Sequence, residues 1–387
     1  METAPLVLDL GLVLLLAAGL GWVARRLGLP AVVGYLVAGL AVSPFTPGYV
    51  ADRQQIQLLA DIGVVLLLFE VGIEVDLRRI HREQRGVLWA APAQLVVTTL
   101  ISAGVLRTAG VAPLGAWLAG LAVGMSSSVV IVNITRSRRR TTDRPTEEAL
   151  LGWSVLQDLA GVSLASVLVA VYGVGSRPVA ESLGSLVLFA GVAVVAARLL
   201  PAVLARLGDA HDLFLIVSVA AGLVLAAAGA VLFGVPMALA AFVAGLAISD
   251  RPETAEARRR LLPFRDLFAV LFFVAVGSLI DPGRLPEAAP LVGLLIGLVV
   301  VAKSGVSWIL ARVARLQARP VQLAVGLGQM GEFGYVLAGI GLTAGVLTTT
   351  EFTAVLGAIV ISIAASAVLV RAAGRAPDAA VTGEPAP

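Results

Sequence analysis

The chain has no cysteine and only two histidines, His81 and His211, in 387 residues. The absence of cysteine excludes disulfides, thiol catalysis and cysteine-ligated metal sites. Both histidines lie in polar connections, where solvated loop residues are commoner than metal ligands, so no resident cofactor is expected. Charged residues are scarce as well, at 14% of the chain, whereas soluble domains carry about 25%. With 59% hydrophobic residues, this composition indicates an integral membrane protein.

Apolar runs of roughly 20 residues, the length that spans a bilayer, recur from end to end. They lack the period-two alternation of barrel strands, so they predict an all-α membrane protein. Thirteen spans are predicted, at 6–24, 31–47, 55–73, 86–107, 113–135, 148–172, 179–199, 212–230, 234–250, 262–280, 289–311, 320–343 and 351–373.

The arginines predict an orientation. If the N-terminus is outside, 23 arginines fall in connections on the inner side, and only Arg53, Arg107, Arg177 and Arg284 fall outside. Positive charge accumulates on the cytoplasmic side of membrane proteins. We therefore expect a multi-pass protein of the inner (plasma) membrane, with its N-terminus outside and its C-terminus in the cytoplasm.

Two short segments recur at nearly the same spacing. VAGLAVS (37–43) returns as VAGLAIS (243–249) after 206 residues, and the Gly-x-x-x-Asp frame of GIEVD (72–76) returns as GSLID (277–281) after 205. The two segments of each pair lie seven spans apart, in the second and ninth spans and in the third and tenth. Because seven is odd, the second copy enters the membrane from the opposite side. This predicts an inverted repeat, a recurrent design of secondary transporters.

The repeat predicts the division of the chain. Residues 1–375 form the membrane domain, with repeat 1 at about 6–172, a linker helix at about 179–199 and repeat 2 at about 212–373. Residues 376–387 have the composition of a disordered cytoplasmic tail.

Two spans contain runs of glycine and serine that are unfavourable in regular helix. They are GMSSSVVIVNIT (124–135) in the fifth span and GLGQMGEFGYVL (326–337) in the twelfth, which the repeat offset pairs. Broken helices that cross at mid-membrane present helix ends to an ion. The alternative is ordinary packing of small residues between helices. We expect two crossing discontinuous helices.

Asp158 is the most informative residue, because it lies near the middle of the sixth span. An acid at the bilayer centre costs about 2.5–3.5 kcal/mol on insertion scales and marks an ion or proton pathway. A carboxylate holds a cation or a proton but not both, which is the minimal logic of exchange. The alternative is a structural acid paired with a base. Gln157 is a neutral neighbour that offers a carbonyl ligand or hydrogen bonds.

Further polar side chains accompany Asp158 inside the predicted spans. Lys303 is the only lysine of the chain and lies near mid-depth in the eleventh span. Ser127, Ser128 and Asn133 offer oxygen ligands in the fifth span, although serine also caps and packs. Glu332 and Glu70 are candidates for an electrostatic or structural role in the core.

Several motifs together resemble the monovalent cation:proton antiporter-2 family, which includes Kef-type potassium/proton and Nap-type sodium/proton antiporters. They are VVGYLVAGLAVSP (32–44), LLLFEVGIEVDL (66–77), the Gln157-Asp158 pair, PMALAAFVAGLAISD (236–250) and GQMGEFGYV (328–336). The resemblance covers about residues 6–375. It implies a sodium/proton antiporter-like fold, a dimerising domain, a mobile core domain and ion/proton exchange, so a homodimer is expected.

Two departures from the family refine this expectation. Only a short polar tail follows Arg375, so no regulatory nucleotide-binding domain in cis is expected. Family members with two adjacent acids often exchange more than one proton per cation, and their matching lysine pairs with the first acid. Gln157 replaces that acid here, so electroneutral exchange is favoured. Lys303 then neutralises Glu332 or Glu70, or competes with the cation for Asp158, in a structural or electrostatic role or as a proton carrier.

The sequence therefore predicts a secondary antiporter that exchanges Na⁺ or K⁺ for H⁺ by alternating access, with the monovalent cation at Asp158. The alternatives are a Kef-like K⁺ efflux pathway and a sodium-coupled symporter on a related fold. The motifs of intramembrane proteases are absent, so an enzyme is not expected.

Overall fold

The protein is described from a computed structural model. It describes residues 4–29, 31–46, 58, 61–63, 65–66, 69, 72–73, 85–128, 130–131, 142–172, 179–206, 211–234, 237–247, 267–331 and 333–373. These residues form helices and short connections, and no strand occurs among them. Glu70, Asn133, Glu332 and the predicted tail at 376–387 lie outside the described residues.

The first half of the chain contributes five described helices. They are α1 (Ala4–Arg26), α2 (Ala31–Ala41), α3 (Arg85–Thr108), α4 (Pro113–Gly124) and α5 (Arg144–Val171). Proline begins α4, where its missing N–H has no helical partner to lose. Helical residues between 58 and 73 belong to the predicted third span.

The remaining helices follow the predicted spans closely. They are α6 (Val179–Arg206), α7 (His211–Phe233), α8 (Met237–Ala247), α9 (Leu267–Ser278), α10 (Leu285–Leu298), α11 (Ser304–Val313), α12 (Pro320–Leu327), α13 (Phe333–Thr343) and α14 (Thr349–Ala373). A π-helical segment, Val299–Lys303, joins α10 to α11 without interruption. Described helical residues fall in each of the thirteen predicted spans.

Six of the described helical runs are long and apolar enough to cross a membrane. They are Val7–Arg26, Arg85–Thr108, Arg144–Val169, Ile216–Phe233, Pro282–Val313 and Thr349–Val370. Five shorter apolar helices accompany them, including the two broken ones at Pro113–Gly124 and Phe333–Thr343. Large apolar side chains are exposed on these helices, for example Val301 at 76%, as lipid-facing side chains would be.

Two close helix contacts recur at the offset of the sequence repeat. A Cβ on Gly39 of α2 would collide with the Val274 carbonyl oxygen of α9. A Cβ on Gly245 of α8 would collide with the Phe69 carbonyl oxygen of the third span. Gly39 and Gly245 are 206 residues apart, and Phe69 and Val274 are 205 apart. The same glycine-to-carbonyl packing is thus present in both copies, while their opposite entry into the membrane stays a prediction.

The helices around the breaks pack closely on one another. α3 packs along α4 and α5, and it also contacts α11 and the π-helical segment. α14 packs against α10, α12 and α13. A small apolar cluster, which includes the fully buried Trp153, closes one end of this group. Both broken helices are consequently enclosed by protein.

Candidate functional site

Two helices are interrupted inside the protein core. α4 ends at Gly124, residues 125–127 leave the helix, and helical structure resumes at Ser128. The backbone of Met125 adopts the β region there, with φ −90° and ψ 140°. α12 ends at Leu327, and residues 328–331 are not helical. We call 125–127 the first break and 328–331 the second break. The prediction of two discontinuous helices in these spans is confirmed.

The two breaks hydrogen-bond to each other. The Gly331 backbone N–H donates to the Met125 carbonyl oxygen at 3.0 Å. The Ser126 hydroxyl donates to the Leu327 carbonyl oxygen at 2.9 Å. A Cβ on Gly331 would lie 2.6 Å from the Ser126 carbonyl oxygen, so only glycine permits this approach. Backbone groups freed by each interruption are thereby satisfied by the other, as a buried polar backbone requires.

Gln329 strengthens this junction through its side chain. Its Oε1 accepts a hydrogen bond from the Ser127 backbone N–H at 3.0 Å, and its Nε2 donates to the Ser127 carbonyl oxygen at 3.3 Å. One amide therefore satisfies both backbone groups of one residue. On the other side, the Met330 backbone N–H donates to Ser362 Oγ of α14 at 3.0 Å. The second break is fixed from two directions.

Lys303 lies at the same junction and is fully buried. Its Nζ donates to the Met125 carbonyl oxygen at 2.7 Å and to the Gln329 carbonyl oxygen at 2.6 Å. These carbonyls follow the C-terminal ends of α4 and α12, where helix dipoles place partial negative charge. The Lys303 amino group thus donates to a carbonyl beyond each of the two helix ends and holds the breaks together. The π-helical segment ends at Lys303 and carries it to this position.

Asp158 lies on α5 next to the first break and is only 1% exposed. Its carboxyl group lies within electrostatic range of the Lys303 side chain. A Cβ on Gly161, three residues further along α5, would collide with the Met125 side chain, so this turn of α5 packs tightly on the first break. The structure therefore brings Asp158, Lys303 and the first break together.

Gln157 faces the first break with both ends of its amide. Its Oε1 accepts from the Ser126 backbone N–H at 3.2 Å, and its Nε2 donates to the Gly124 carbonyl oxygen at 3.2 Å. The side chain is fully buried. Of the two roles expected for Gln157, hydrogen bonding is the one visible in this arrangement.

The other predicted site residues are only partly within the described chain. Ser127 Oγ accepts from the Val130 backbone N–H at 3.2 Å, which is the bond of an N-cap at the restart of the helix. Ser128 is buried beside it. Ser127 and Ser128 are therefore at the break, whereas Asn133, Glu332 and Glu70 lie outside the description.

Three residues at the site were missed from the sequence: Gln94, Trp153 and Gln329. Gln94 on α3 and Gln329 are fully buried, and Gln94 Oε1 accepts from Trp153 Nε1 at 3.2 Å. For the two glutamines the usable signal was a polar side chain within an otherwise apolar span, the same kind of signal that identified Asp158. The Gln329 amide binds backbone groups of Ser127, which leave no mark in a sequence, and the partners of Gln94 on α5 are more than fifty residues away.

The arrangement combines an enclosed carboxylate, a fixed ammonium and serine oxygens where two helices are interrupted. Interrupted helices that meet in a membrane core define a class of secondary transporters. A carboxylate in such a place can exchange a proton for a cation without covalent chemistry.

Comparisons with known proteins agree with this class. The model of the family described as "Sodium/hydrogen exchanger, transmembrane" matches residues 12–372. The chain belongs to this family, and the predicted relation to monovalent cation:proton antiporters is confirmed.

A curated relative and two solved structures give the same result. The chain is 32% identical over 382 residues to the "Putative cation/proton antiporter YbaL" of Escherichia coli (strain K12), an alignment that covers 95% of this chain and 68% of the relative. The sodium proton antiporter MjNhaP1 of Methanocaldococcus jannaschii at pH 8 superimposes with a TM-score of 0.77 at 19% identity, covering 97% and 99% of the two chains. A second structure of MjNhaP1 gives 0.74 at 20% identity, covering 96% of each. The predicted all-α membrane fold of the sodium/proton antiporter type is confirmed.

Proposed function

We propose that the protein exchanges a monovalent cation, Na⁺ or K⁺, for H⁺ across the membrane by alternating access, with Asp158 as the shared binding site. The family and the relatives, all named as antiporters or exchangers, support cation/proton exchange in general. The observation that carries the assignment to Asp158 is its burial beside the first break and within the electrostatic reach of Lys303.

The exchange follows from the chemistry of one carboxyl group. A bound cation needs the ionised carboxylate, and a proton removes that charge, so occupancy by one expels the other. Lys303 contributes positive charge close to Asp158. That charge lowers the affinity for a cation and so prevents the carboxylate from retaining it. Ser127, Ser128 and Asn133 are the proposed oxygen ligands that complete the cation site.

Gln157 makes the proposed stoichiometry one cation for one proton, because position 157 has no acidic group to carry a second proton. We assign Lys303 a structural and electrostatic role, because its hydrogen bonds hold both breaks. Glu332 and Glu70 are proposed to adjust the charge of the core. A homodimer in the plasma membrane, with the N-terminus outside, completes the proposal.

The decisive experiment is cation-induced dequenching of a pH-sensitive dye in proteoliposomes that maintain an inside-acid gradient. Wild type, Asp158→Asn and Asp281→Asn are compared with Na⁺, K⁺ and Li⁺. Asp281 is the matched control, because it is an acid that accepts from the Gly283 backbone N–H at a helix start, a bond that asparagine preserves. We expect Asp158→Asn to fall to the level of empty liposomes and Asp281→Asn to remain at wild-type level. Wild-type flux in Asp158→Asn would refute the site.

The same assay separates the alternative transport modes. A channel-like efflux path conducts down an electrochemical gradient and does not require an opposing proton gradient. A sodium-coupled symporter requires a further solute. Exchange that proceeds with only a cation and protons present excludes both.

A further inference from the structure

Gln94 of α3 is a fully buried amide that uses both of its ends. Its Nε2 donates to Thr98 Oγ1 at 3.0 Å and to the Gly124 carbonyl oxygen, at the end of α4, at 3.4 Å. Its Oε1 accepts from the indole N–H of Trp153 at 3.2 Å and from Gln157 Nε2. Gln94 thus connects three helices at the point where α4 is interrupted.

The direction of these hydrogen bonds is fixed by Trp153. An indole N–H donates and cannot accept, so it requires the oxygen of the Gln94 amide. The Gln94 nitrogen then faces the Gly124 carbonyl oxygen, which can only accept. If the Gln94 amide were flipped, its NH₂ group would face two other donors, those of Trp153 and Gln157. Its oxygen would then face the Gly124 carbonyl oxygen, which is also an acceptor. Buried polar groups that are mismatched in this way are costly.

Gln94 in turn fixes the amide of Gln157. Because Gln94 Oε1 is an acceptor, Gln157 must direct its nitrogen toward it. The Gln157 oxygen is then left to accept from the Ser126 backbone N–H at 3.2 Å. Trp153 therefore sets the orientation of the Gln94 amide, which sets that of the Gln157 amide, which in turn bonds to the first break. Gln157 is the residue before Asp158 on α5.

We propose that Gln94, oriented by Trp153, is a positioning residue for ion exchange, which holds the Gln157 amide and the first break in the geometry that Asp158 needs. The same arrangement demands a hydrogen-bond donor at position 157. An ionised acid there would place an oxygen against Gln94 Oε1. Gln94 and Gln157 are thus a matched pair that keeps a second charge out of the site. The inference rests on the proposed function of Asp158.

The test compares Gln94→Met with Gln322→Met, a change at another buried glutamine, on α12. Cation-dependent proton flux in proteoliposomes gives an apparent KM and a maximal rate for each. We expect Gln94→Met to raise the apparent cation KM about tenfold, the effect of mismatching one buried hydrogen-bonded amide, with a smaller change in maximal rate. Gln322→Met should leave KM unchanged. A purely structural role of Gln94 would lower the amount of active protein and leave KM unchanged, and that result overturns the proposal.

Coupling between the two glutamines provides a second criterion. If Gln94 acts through Gln157, the KM of Gln94→Met combined with Gln157→Met equals that of Gln157→Met alone. If the increase in KM of the double variant is instead the product of the increases of the two single variants, the proposal is overturned. Should Gln94→Met fail to fold, Trp153→Phe removes the N–H donor and part of the ring volume but keeps an aromatic side chain. Trp117→Phe on α4, which loses the same atoms away from Gln94, is its control. Trp153→Phe should raise KM in the same direction, and an unchanged KM overturns the proposal.

Hydrogen exchange of the peptide that contains residues 120–128 makes the test independent of transport. Gln94→Met should accelerate exchange at the Ser126 amide relative to wild type and Gln322→Met. If Asp158→Asn transports normally while this acceleration is seen, the proposed function fails and the positioning by Gln94 stands. If hydrogen exchange at Ser126 is unchanged in Gln94→Met and Asp158→Asn transports normally, both the positioning role of Gln94 and the proposed function are refuted.

Discussion

At the scale of single residues, Lys303 shows how a buried charge is accommodated. The ammonium has three donors, and two of them reach carbonyl oxygens beyond the ends of α4 and α12. Asp158 supplies the negative charge nearby. Hydrogen bonds that involve a charged donor are roughly twice as strong as neutral ones. Lys303 is therefore a cross-link between two interrupted helices as well as a charge beside the site.

Replacing Lys303 with methionine should destabilise the protein. Both charge-assisted hydrogen bonds are lost, and we expect the free energy of unfolding to fall by about 2–4 kcal/mol. Thermal unfolding in detergent measures the effect. The control is Arg198→Met, an exposed basic residue on α6, which should change stability by less than about 0.5 kcal/mol. Unchanged stability in Lys303→Met, together with loss of proton flux, would instead identify Lys303 as a proton carrier.

Sequence reasoning could find Asp158, Gln157 and Lys303, because charge or an amide inside an apolar span stands out. It could not find what Lys303 binds, since carbonyl groups occur at every residue. The sequence offered Glu332, Glu70 and Asp158 as partners for Lys303. Of these, Asp158 lies within electrostatic range of Lys303, and the hydrogen bonds of Lys303 go to the backbone oxygens of Met125 and Gln329.

At the scale of helices, the glycine contacts of the two repeats determine how closely the helices approach. Gly39 on α2 faces the Val274 carbonyl oxygen of α9, and Gly277 of α9 faces the Leu36 carbonyl oxygen of α2. Small residues permit such approach in membranes, where apolar side chains gain little by leaving lipid. The repeat motif VAGLA(V/I)S is explained by this requirement for glycine.

Gly39→Ala should separate α2 from α9 and cost about 1–3 kcal/mol, the usual penalty of overpacking. Gly245→Ala should have a similar effect, because it makes the equivalent contact in the second copy. Gly293→Ala on α10 is the control, since nothing lies within 4 Å of a Cβ there. Thermal unfolding of the three variants in one detergent provides the comparison. Equal stability of Gly39→Ala and Gly293→Ala would contradict this account of the motif.

The interruptions themselves were predictable, but their lengths were not. Glycine and serine runs at 124–135 and 326–337 indicated the two interruptions. The non-helical residues in the structure are fewer, at 125–127 and 328–331. Helix resumes early after the first break because Ser127 supplies an N-cap to Val130. A serine run does not by itself tell which hydroxyl caps a helix and which, like Ser126, bonds across to another chain segment.

At the scale of the whole molecule, the predicted orientation can be tested because the chain has no cysteine to remove. Ala109, between α3 and α4, is exposed on the side predicted to face outward, and Ala205, near the end of α6, is exposed on the inner side. In intact cells, a membrane-impermeant maleimide should label Ala109→Cys and should label Ala205→Cys only after permeabilisation. The reverse pattern would invert the topology, and labelling of both in intact cells would contradict the span count.

The charge moved per cycle follows from the neutrality of position 157. Asp158 takes one cation or one proton, and Gln157 adds no titrating group, so each half-cycle carries the same charge. Exchange should therefore be insensitive to a membrane potential imposed on proteoliposomes with a permeant anion, such as thiocyanate, at fixed pH gradient. With two protons per cation, a potential of 100 mV would act on one net charge with about 2.3 kcal/mol and change the rate severalfold. Asp158→Asn proteoliposomes provide the background leak, and a rate that follows the potential after its subtraction would refute one-for-one exchange.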